Sequence, residues 1–214
     1  LECDLAGRIT TQTEWSDGGT TQTLAYVYLP DGLLGDVWIN DSKSHHYTYD
    51  ANGNCTGTLT DTATYDRQDR LLSFAGVSYQ INDDGFLMAR GSDTFKYSAT
   101  GELLEAIIGN ETIDYGYDGL GRRVARTDSK GTIQYIYGCL FCPFLVTASR
   151  DVDGIVTTYI YDDNDFLIGM KRGGAFYYVA VDQVGSPRVI VNSNGDIIKT
   201  IQYDPRGVVI TDSN

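Results

Sequence analysis

Four cysteines, two histidines and a large set of carboxylates are the side chains in this sequence with chemistry to offer. Cys3, Cys55, Cys139 and Cys142 allow three disulfide connectivities. Cys139-x-x-Cys142 has the spacing of a redox pair or of half a zinc site. A zinc site needs two more ligands of similar kind, and His45 and His46 are distant in sequence. In an extended strand, Cα atoms three residues apart are separated by roughly 10 Å, beyond the ~7 Å reach of a disulfide. Bridging Cys139 to Cys142 therefore requires a turn, which Pro143 next door favours. A structural disulfide, free buried thiols and a metal or redox role all stay open. His45 and His46 lead into Tyr47 and Tyr49 in what reads as a strand, so their rings point to opposite faces and do not easily share one metal.

Asp50-Ala51-Asn52-Gly53-Asn54 and Asp162-Asp163-Asn164-Asp165 have the composition of calcium loops, but neither continues to the twelfth-position glutamate of an EF-hand. Gly116-Tyr117-Asp118-Gly119-Leu120-Gly121 has its glycines in the wrong order for a dinucleotide loop, and no helix is expected after it. Nucleophile elbow, zinc-protease and phosphate-loop motifs are absent from the sequence. The expectation is a chain without cofactor or catalytic activity. Asn40-Asp41-Ser42, Asn54-Cys55-Thr56 and Asn110-Glu111-Thr112 are N-glycan acceptor sequons, mild support for a eukaryotic secreted source.

Bulk properties narrow the partners. Of 214 residues, 29 are acidic and 16 basic, for a net charge of −13. That excess argues against nucleic acid or an anionic membrane, both of which need Lys and Arg opposite phosphate. No apolar run is long enough for a membrane span, and the opening Leu-Glu-Cys-Asp-Leu-Ala-Gly lacks the features of a signal peptide. Glycine supplies 24 residues, above the usual share of about 7%, and tyrosine 16, against 7 Phe and 2 Trp.

A repeat accounts for both excesses. A tyrosine, often followed by aspartate, precedes a glycine four residues on. The frames carrying it best are Tyr49 to Gly53, Tyr97 to Gly101, Tyr117-Asp118 to Gly121 and Tyr203-Asp204 to Gly207. Tyr65 and Tyr161 open frames with Asp69 and Asp165 at the glycine position. Ile81 to Gly85, Cys3 to Gly7 and Val181-Asp182 to Gly185 replace the tyrosine, and Tyr28 to Gly32 lacks the aspartate. A degenerate copy is expected near Tyr137-Gly138. Before each frame, aromatic pairs such as Tyr115 and Tyr117 or Tyr159 and Tyr161 stand two residues apart, on one face of a strand. Asp-x-x-Gly then reads as a turn: the carboxylate bonds back to its own backbone and glycine supplies a positive φ. Asp128-Ser129-Lys130-Gly131, Gly173-Gly174 and Asn194-Gly195 punctuate the return strands. The predicted fold is all-β: an antiparallel meander of about twenty strands in one continuous sheet, which twist would curl into a spiral shell or barrel-like wall.

The frame Tyr117-Asp118-Gly119-Leu120-Gly121-Arg122-Arg123-Val124 resembles the YD repeat of the RHS and teneurin family. Tyr177-Tyr178-Val179-Ala180-Val181-Asp182-Gln183-Val184-Gly185-Ser186-Pro187-Arg188 resembles a segment near the end of its shell, and Tyr203 to Asn214 resembles the stretch next to that segment. The resemblance covers essentially all 214 residues, as one repeat array. It implies a section of a larger spiral β-shell, with family segments continuing beyond the stretch seen here. Bacterial members of this kind enclose a toxic effector, and animal members form the body of a cell-surface adhesion receptor. One departure stands out: Gly138-Cys139-Leu140-Phe141-Cys142-Pro143-Phe144 carries cysteines where Asn and Ser would be expected.

The function so implied is a non-catalytic, extracellular or cell-surface wall. Its partners would be the rest of its own shell, or identical copies paired through strand edges into an oligomer or fibre. The rivals are a binding module for a receptor or glycan, with Trp15 and Trp38 as contacts, and a casing around an effector domain.

Overall fold

A computed structural model describes residues 1–15 and 21–213, the side chain of Trp15 excepted. Among them every regular element is a β-strand, and the strands pair antiparallel. The backbone contacts divide the chain into two units, Leu1–Ser92 and Asp93–Asn214.

In the first unit, β1 (Glu2–Cys3), β2 (Ile9–Trp15), β3 (Thr21–Tyr28), β4 (Leu34–Ile39) and β5 (Ser42–His46) form a five-stranded sheet in chain order. A separate pair, β6 (Thr48–Tyr49) and β7 (Cys55–Gly57), comes next. Then come β8 (Ala63–Tyr65), β9 (Leu71–Phe74), β10 (Val77–Ile81) and β11 (Leu87–Arg90), each hydrogen-bonded to the next. In the second unit the meander runs unbroken through β12 (Asp93–Tyr97), β13 (Leu103–Ile108), β14 (Glu111–Tyr117), β15 (Arg123–Asp128), β16 (Gly131–Ile136) and β17 (Ala148–Arg150). It continues through β18 (Val156–Tyr161), β19 (Leu167–Arg172), β20 (Ala175–Val181), β21 (Pro187–Asn192), β22 (Ile197–Tyr203) and β23 (Val209–Asp212).

The meander and the absence of helix among the described residues match the sequence reading, and the sheets are open, not closed into a barrel. One expectation is corrected: the strands do not make one continuous sheet. The first unit breaks where a single stretch of chain changes partner. Ser42–His46 pairs with β4, the next residue is the buried Tyr47, and Thr48–Tyr49 pairs with β7 instead. The Tyr47 N–H still reaches the Gly35 carbonyl at 2.8 Å. Between β7 and β8 only the isolated Gly57–Thr62 bridge survives, because Thr58 to Asp61 folds into a tight turn in which Thr58 Oγ1 accepts the Asp61 N–H at 3.0 Å.

The core is thin. Among the described residues the buried apolar side chains are Val37, Tyr47, Ala63, Ala106, Ile113 and Val179. Ala106 shows how burial arises: Phe95 and Ile113 stand opposite it on the flanking strands and cover its small side chain from both sides. The reverse face of the same strands carries polar pairs, with Lys96 bonded to Glu105 at 2.6 Å. The accessible surface is 13636 Å². Even two separate globules of half the mass each would expose only about 12,000 Å² by the usual scaling of area with mass. The sheets therefore keep much apolar surface uncovered, Leu104, Ile136, Ile160 and Tyr178 among it.

Candidate functional site

The repeat turn is where most of the polar chemistry is spent. In the Tyr117 frame, the Asp118 N–H donates to the Arg122 carbonyl and the Gly121 N–H to the Asp118 carbonyl, both at 3.0 Å. Gly121 has φ 74°, and the strand register slips one residue at Gly116/Tyr117. This is a type I turn closed by a left-handed residue that forms a bulge, a common three-residue hairpin loop. The Asp118 side chain organises it. Its Oδ1 accepts the Leu120 N–H at 2.9 Å and the Arg122 N–H at 3.1 Å, while Oδ2 accepts Arg122 Nε at 2.7 Å. The Arg122 guanidinium bond above all, then the N–H groups of Arg122 and Leu120, holds the Asp118 carboxyl below its ordinary value.

The same pattern recurs at Asp4, Asp50, Asp66, Asp162, Asp182 and Asp204, each carboxylate accepting the N–H groups two and four residues on. Ser98 does the same work with its hydroxyl in the Tyr97 frame. The closing position has positive φ at Gly53, Gly85, Gly101, Gly185 and Gly207, and also at Asp69 (59°) and Asp165 (62°). Short acidic side chains tolerate that region better than most.

Tyrosine has a role that sequence reasoning missed. Tyr49, Tyr65, Tyr97, Tyr117, Tyr161 and Tyr203 each end a strand, half-buried. The Tyr117 hydroxyl donates to the Leu103 carbonyl at 2.9 Å, and Leu103 is the residue paired with Tyr97 of the preceding frame. Tyr49 reaches Leu34, paired with Tyr28; Tyr65 reaches Cys55, paired with Tyr49; Tyr137 reaches Arg123, paired with Tyr117. Tyr203 reaches Pro187, paired with Val181. Each of these tyrosines thus fastens its frame to the bulge of the one before it, while Tyr161 reaches the Val146 carbonyl, in the loop before β17, at 2.7 Å. The signal was the preference for Tyr over Phe, 16 against 7, since phenylalanine packs as well but cannot donate.

Arginine after the glycine adds a second link. Arg8, held by Asp4, lies 4.4 Å from the Tyr28 ring centroid, and Arg122 lies 4.8 Å from that of Tyr137. Both are within cation–π range. Replacing Tyr117 with Phe removes one hydrogen bond, and with it a partner of the Leu103 carbonyl. The expected loss is about 1 kcal/mol, a drop in Tm of roughly 2–4 °C. Thermal denaturation followed by circular dichroism checks this, with Tyr178→Phe, at a 58% exposed tyrosine, as a control that should not move.

The expected degenerate copy near Tyr137 keeps its tyrosine but loses its turn: residues 137–147 form a longer loop in that place. Cys139 and Cys142 sit in this loop, Cys3 on the exposed β1 and Cys55 half-buried on β7; all four are free thiols. No disulfide joins any of the four in this structure.

His46 Nδ1 lies 2.7 Å from Asp36 Oδ1, while the His45 ring stacks on Tyr47, so the two histidines serve different neighbours. Trp38 is half-buried with the Lys43 ammonium 5.3 Å from its ring; the Trp15 side chain lies outside the described residues. Among the described residues no group of three or more His, Cys, Asp and Glu is placed to hold a metal ion. The sequons differ in setting. Asn40 and Asn110 are exposed on hairpin turns. Asn54 is half-buried, its Nδ2 donating to Asp50 Oδ2 at 3.0 Å and Asp69 Oδ1 at 2.7 Å.

Comparison with known proteins agrees with the repeat. Teneurin-1 of Gallus gallus is 37% identical over 201 residues, which is 88% of this chain and 7% of that protein. Teneurin-1 of Homo sapiens is 38% identical over 200 residues, again 88% and 7%. Teneurin-3 of Danio rerio is 33% identical over 227 aligned positions, covering 100% of this chain and 8% of the relative. The chain thus spans less than a tenth of the length of these relatives. Among solved structures, the Photorhabdus luminescens Tc holotoxin pore matches 97% of this chain with 14% of its own, at TM-score 0.58 and 13% identity. A TcdB2–TccC3 structure without its hypervariable C-terminal region matches at TM-score 0.55 and 15% identity, again over 97% and 14%. At that identity the likeness is one of fold. The Teneurin YD-shell family description fits residues 1–214 from end to end, and the chain belongs to that family.

Proposed function

We propose that this segment is a non-catalytic length of wall in an extracellular or cell-surface YD shell, and that its work is mechanical. The observation carrying the reading is the fastening of the Tyr49, Tyr65, Tyr117, Tyr137 and Tyr203 hydroxyls to the bulges of preceding frames. Hydrogen bonds and turns hold successive repeats in register. Teneurin kinship supports a place at the cell surface, and no helix among the described residues is long and apolar enough to cross a membrane.

The partners we propose are the rest of the shell, or identical copies pairing strand to strand. On β23, Val209 and Ile210 are exposed, and an apolar strand at a sheet edge is a template for another strand. Asn40 and Asn110 are the glycan acceptors. Asn54 is not, because a glycosidic bond leaves Nδ2 one hydrogen and cannot keep both carboxylate contacts. A second reading, a surface that recognises a receptor, is favoured by Phe176 and Tyr178 on β20, 46% and 58% exposed and two residues apart on one face. An effector-enclosing casing is the third, resting on the toxin-like fold alone.

Light scattering on the segment secreted from eukaryotic cells tests the proposal. Self-association is expected, reduced by the pair Val209→Lys and Ile210→Lys, with glycan on the Asn40 and Asn110 peptides only. A monomer stable at tens of micromolar overturns the strand-pairing reading. Receptor binding that Phe176→Ser and Tyr178→Ser abolish in a folded protein favours the recognition reading instead.

A further inference from the structure

The loop that replaces a repeat turn carries chemistry no other frame has. Its base is fixed: the Gly138 N–H donates to Thr147 Oγ1 at 2.8 Å, and the Thr147 N–H to the Ile136 carbonyl at 2.8 Å. Its far side is held by Arg122, whose guanidinium donates to the Pro143 carbonyl at 2.9 Å. Between these anchors Leu140 and Phe141 are 92% and 96% exposed, and the chain turns so that the Cys142 N–H donates to Cys139 Sγ at 3.0 Å. The Leu145 N–H closes back on the Cys142 carbonyl at 3.0 Å. The extended geometry that would keep the two cysteines apart is therefore not adopted.

We propose that Cys139 and Cys142 form a thiol–disulfide exchange site, in which Cys139 attacks a small disulfide compound and Cys142 resolves the adduct into an intraloop disulfide. The two sulfurs are not equivalent. The hydrogen bond from the Cys142 side chain, helped by the N–H groups of Cys142 and Phe141, holds the Cys139 thiol below its ordinary value. The same bond and burial push Cys142 up, and the Asp165 carboxylate opposes ionisation of both. Thiolate character selects the attacking sulfur. In the first step the Cys139 thiolate bonds to one sulfur of the small disulfide, whose S–S bond breaks and whose other half leaves as a thiolate and takes a proton. In the second, Cys142 gives up its proton and its sulfur attacks Cys139, expelling the remaining half as a thiol. Two protein thiols are oxidised to one disulfide, and one small disulfide is reduced to two thiols. Among the described residues no third ligand joins the pair, which separates it from a structural zinc site.

The test uses oxidised glutathione on the reduced 214-residue chain, followed by alkylation and tryptic mass spectrometry. Residues 131–150 fall in one peptide that contains both cysteines and neither Cys3 nor Cys55. That peptide is expected to lose two hydrogens and both alkylation sites. Cys142→Ser keeps the backbone N–H and is expected to trap glutathione on Cys139. Cys139→Ser is expected to slow the reaction of the remaining loop thiol by about tenfold or more. Both variants should keep the wild-type Tm, since the loop lies outside the strands. Two alkylatable thiols remaining in the peptide, separate glutathione adducts on both cysteines, or an undiminished rate in Cys139→Ser would each overturn the proposal.

Discussion

Gly185→Ala is expected to be the most damaging single methyl addition at a repeat turn. Gly185 has φ +87°, and a Cβ there would lie 2.7 Å from Phe166 Cδ1 and 2.9 Å from Cε1. Two penalties combine. A left-handed conformation costs an L-residue about 1–2 kcal/mol, and overpacking against a neighbouring ring costs roughly 1–3 more. The Phe166 backbone is itself clamped in the preceding turn, its N–H donating to Asp162 Oδ1 at 2.8 Å and its carbonyl accepting the Asp162 N–H at 2.9 Å, so the ring can yield only by leaving its rotamer. The combined loss is roughly 3 kcal/mol, about 6–12 °C in Tm for a chain of this size. Gly207→Ala separates the terms. Gly207 has φ +85°, but nothing lies within 4 Å of its would-be Cβ, so only the conformational penalty applies. Equal losses in the two variants would refute the packing argument.

Acid should unfold the protein steeply. Asp4, Asp50, Asp66, Asp118, Asp128 and Asp151 are all held below their ordinary value of 3.8, each chiefly by N–H or guanidinium groups that its carboxylate accepts. A carboxyl with a depressed folded pKa contributes stability that is complete above its unfolded pKa and is lost as pH falls through the folded one. Stability should therefore be flat near neutrality, start to decline below roughly pH 5 and fall further as these groups are protonated. Below the isoelectric point near 4.3 the charge balance acts in the same direction, since protonating the acids leaves the 16 Lys and Arg in excess. Urea titrations between about pH 7 and pH 2.5, spanning the folded and unfolded carboxyl values, measure this. Asp118→Asn keeps the Oδ1 acceptor but cannot ionise, so it should be less stable than wild type at neutral pH and show a smaller loss on acidification. A pH dependence unchanged by that substitution would remove Asp118 from the account.

The turns were readable from the sequence because each rests on a local rule. Asp118 bonds to atoms two and four residues away, and Gly121 needs only its own φ, so spacing alone specifies both. The tyrosine hydroxyls were not readable. Tyr117 donates to Leu103, fourteen residues back, and only the folded meander brings the two together. The break at Tyr47 was hidden for a related reason: Ser42 to Tyr49 reads as one extended run, and its change of partner depends on strands on either side. The loop at Cys139 kept its frame through Tyr137 while losing the Asp-x-x-Gly spacing, which left no local sign of what replaced the turn.

The direction of the tyrosine bonds has a consequence for how such chains lengthen. In the Tyr49, Tyr65, Tyr117, Tyr137 and Tyr203 bonds the donor belongs to a later frame and the acceptor to the one before it, so such a connection is specified by the immediate predecessor. Stability then sums over adjacent couplings, as in a one-dimensional array. A deletion from one tyrosine to the next hands the orphaned acceptor to the following donor and leaves the array continuous. A single-residue deletion within a strand has no such remedy, because it turns every later side chain of that strand to the opposite face. Variation by whole periods is thus the inexpensive mutation for this architecture, and gene segments encoding it can grow or shrink in length without a new solution to the fold.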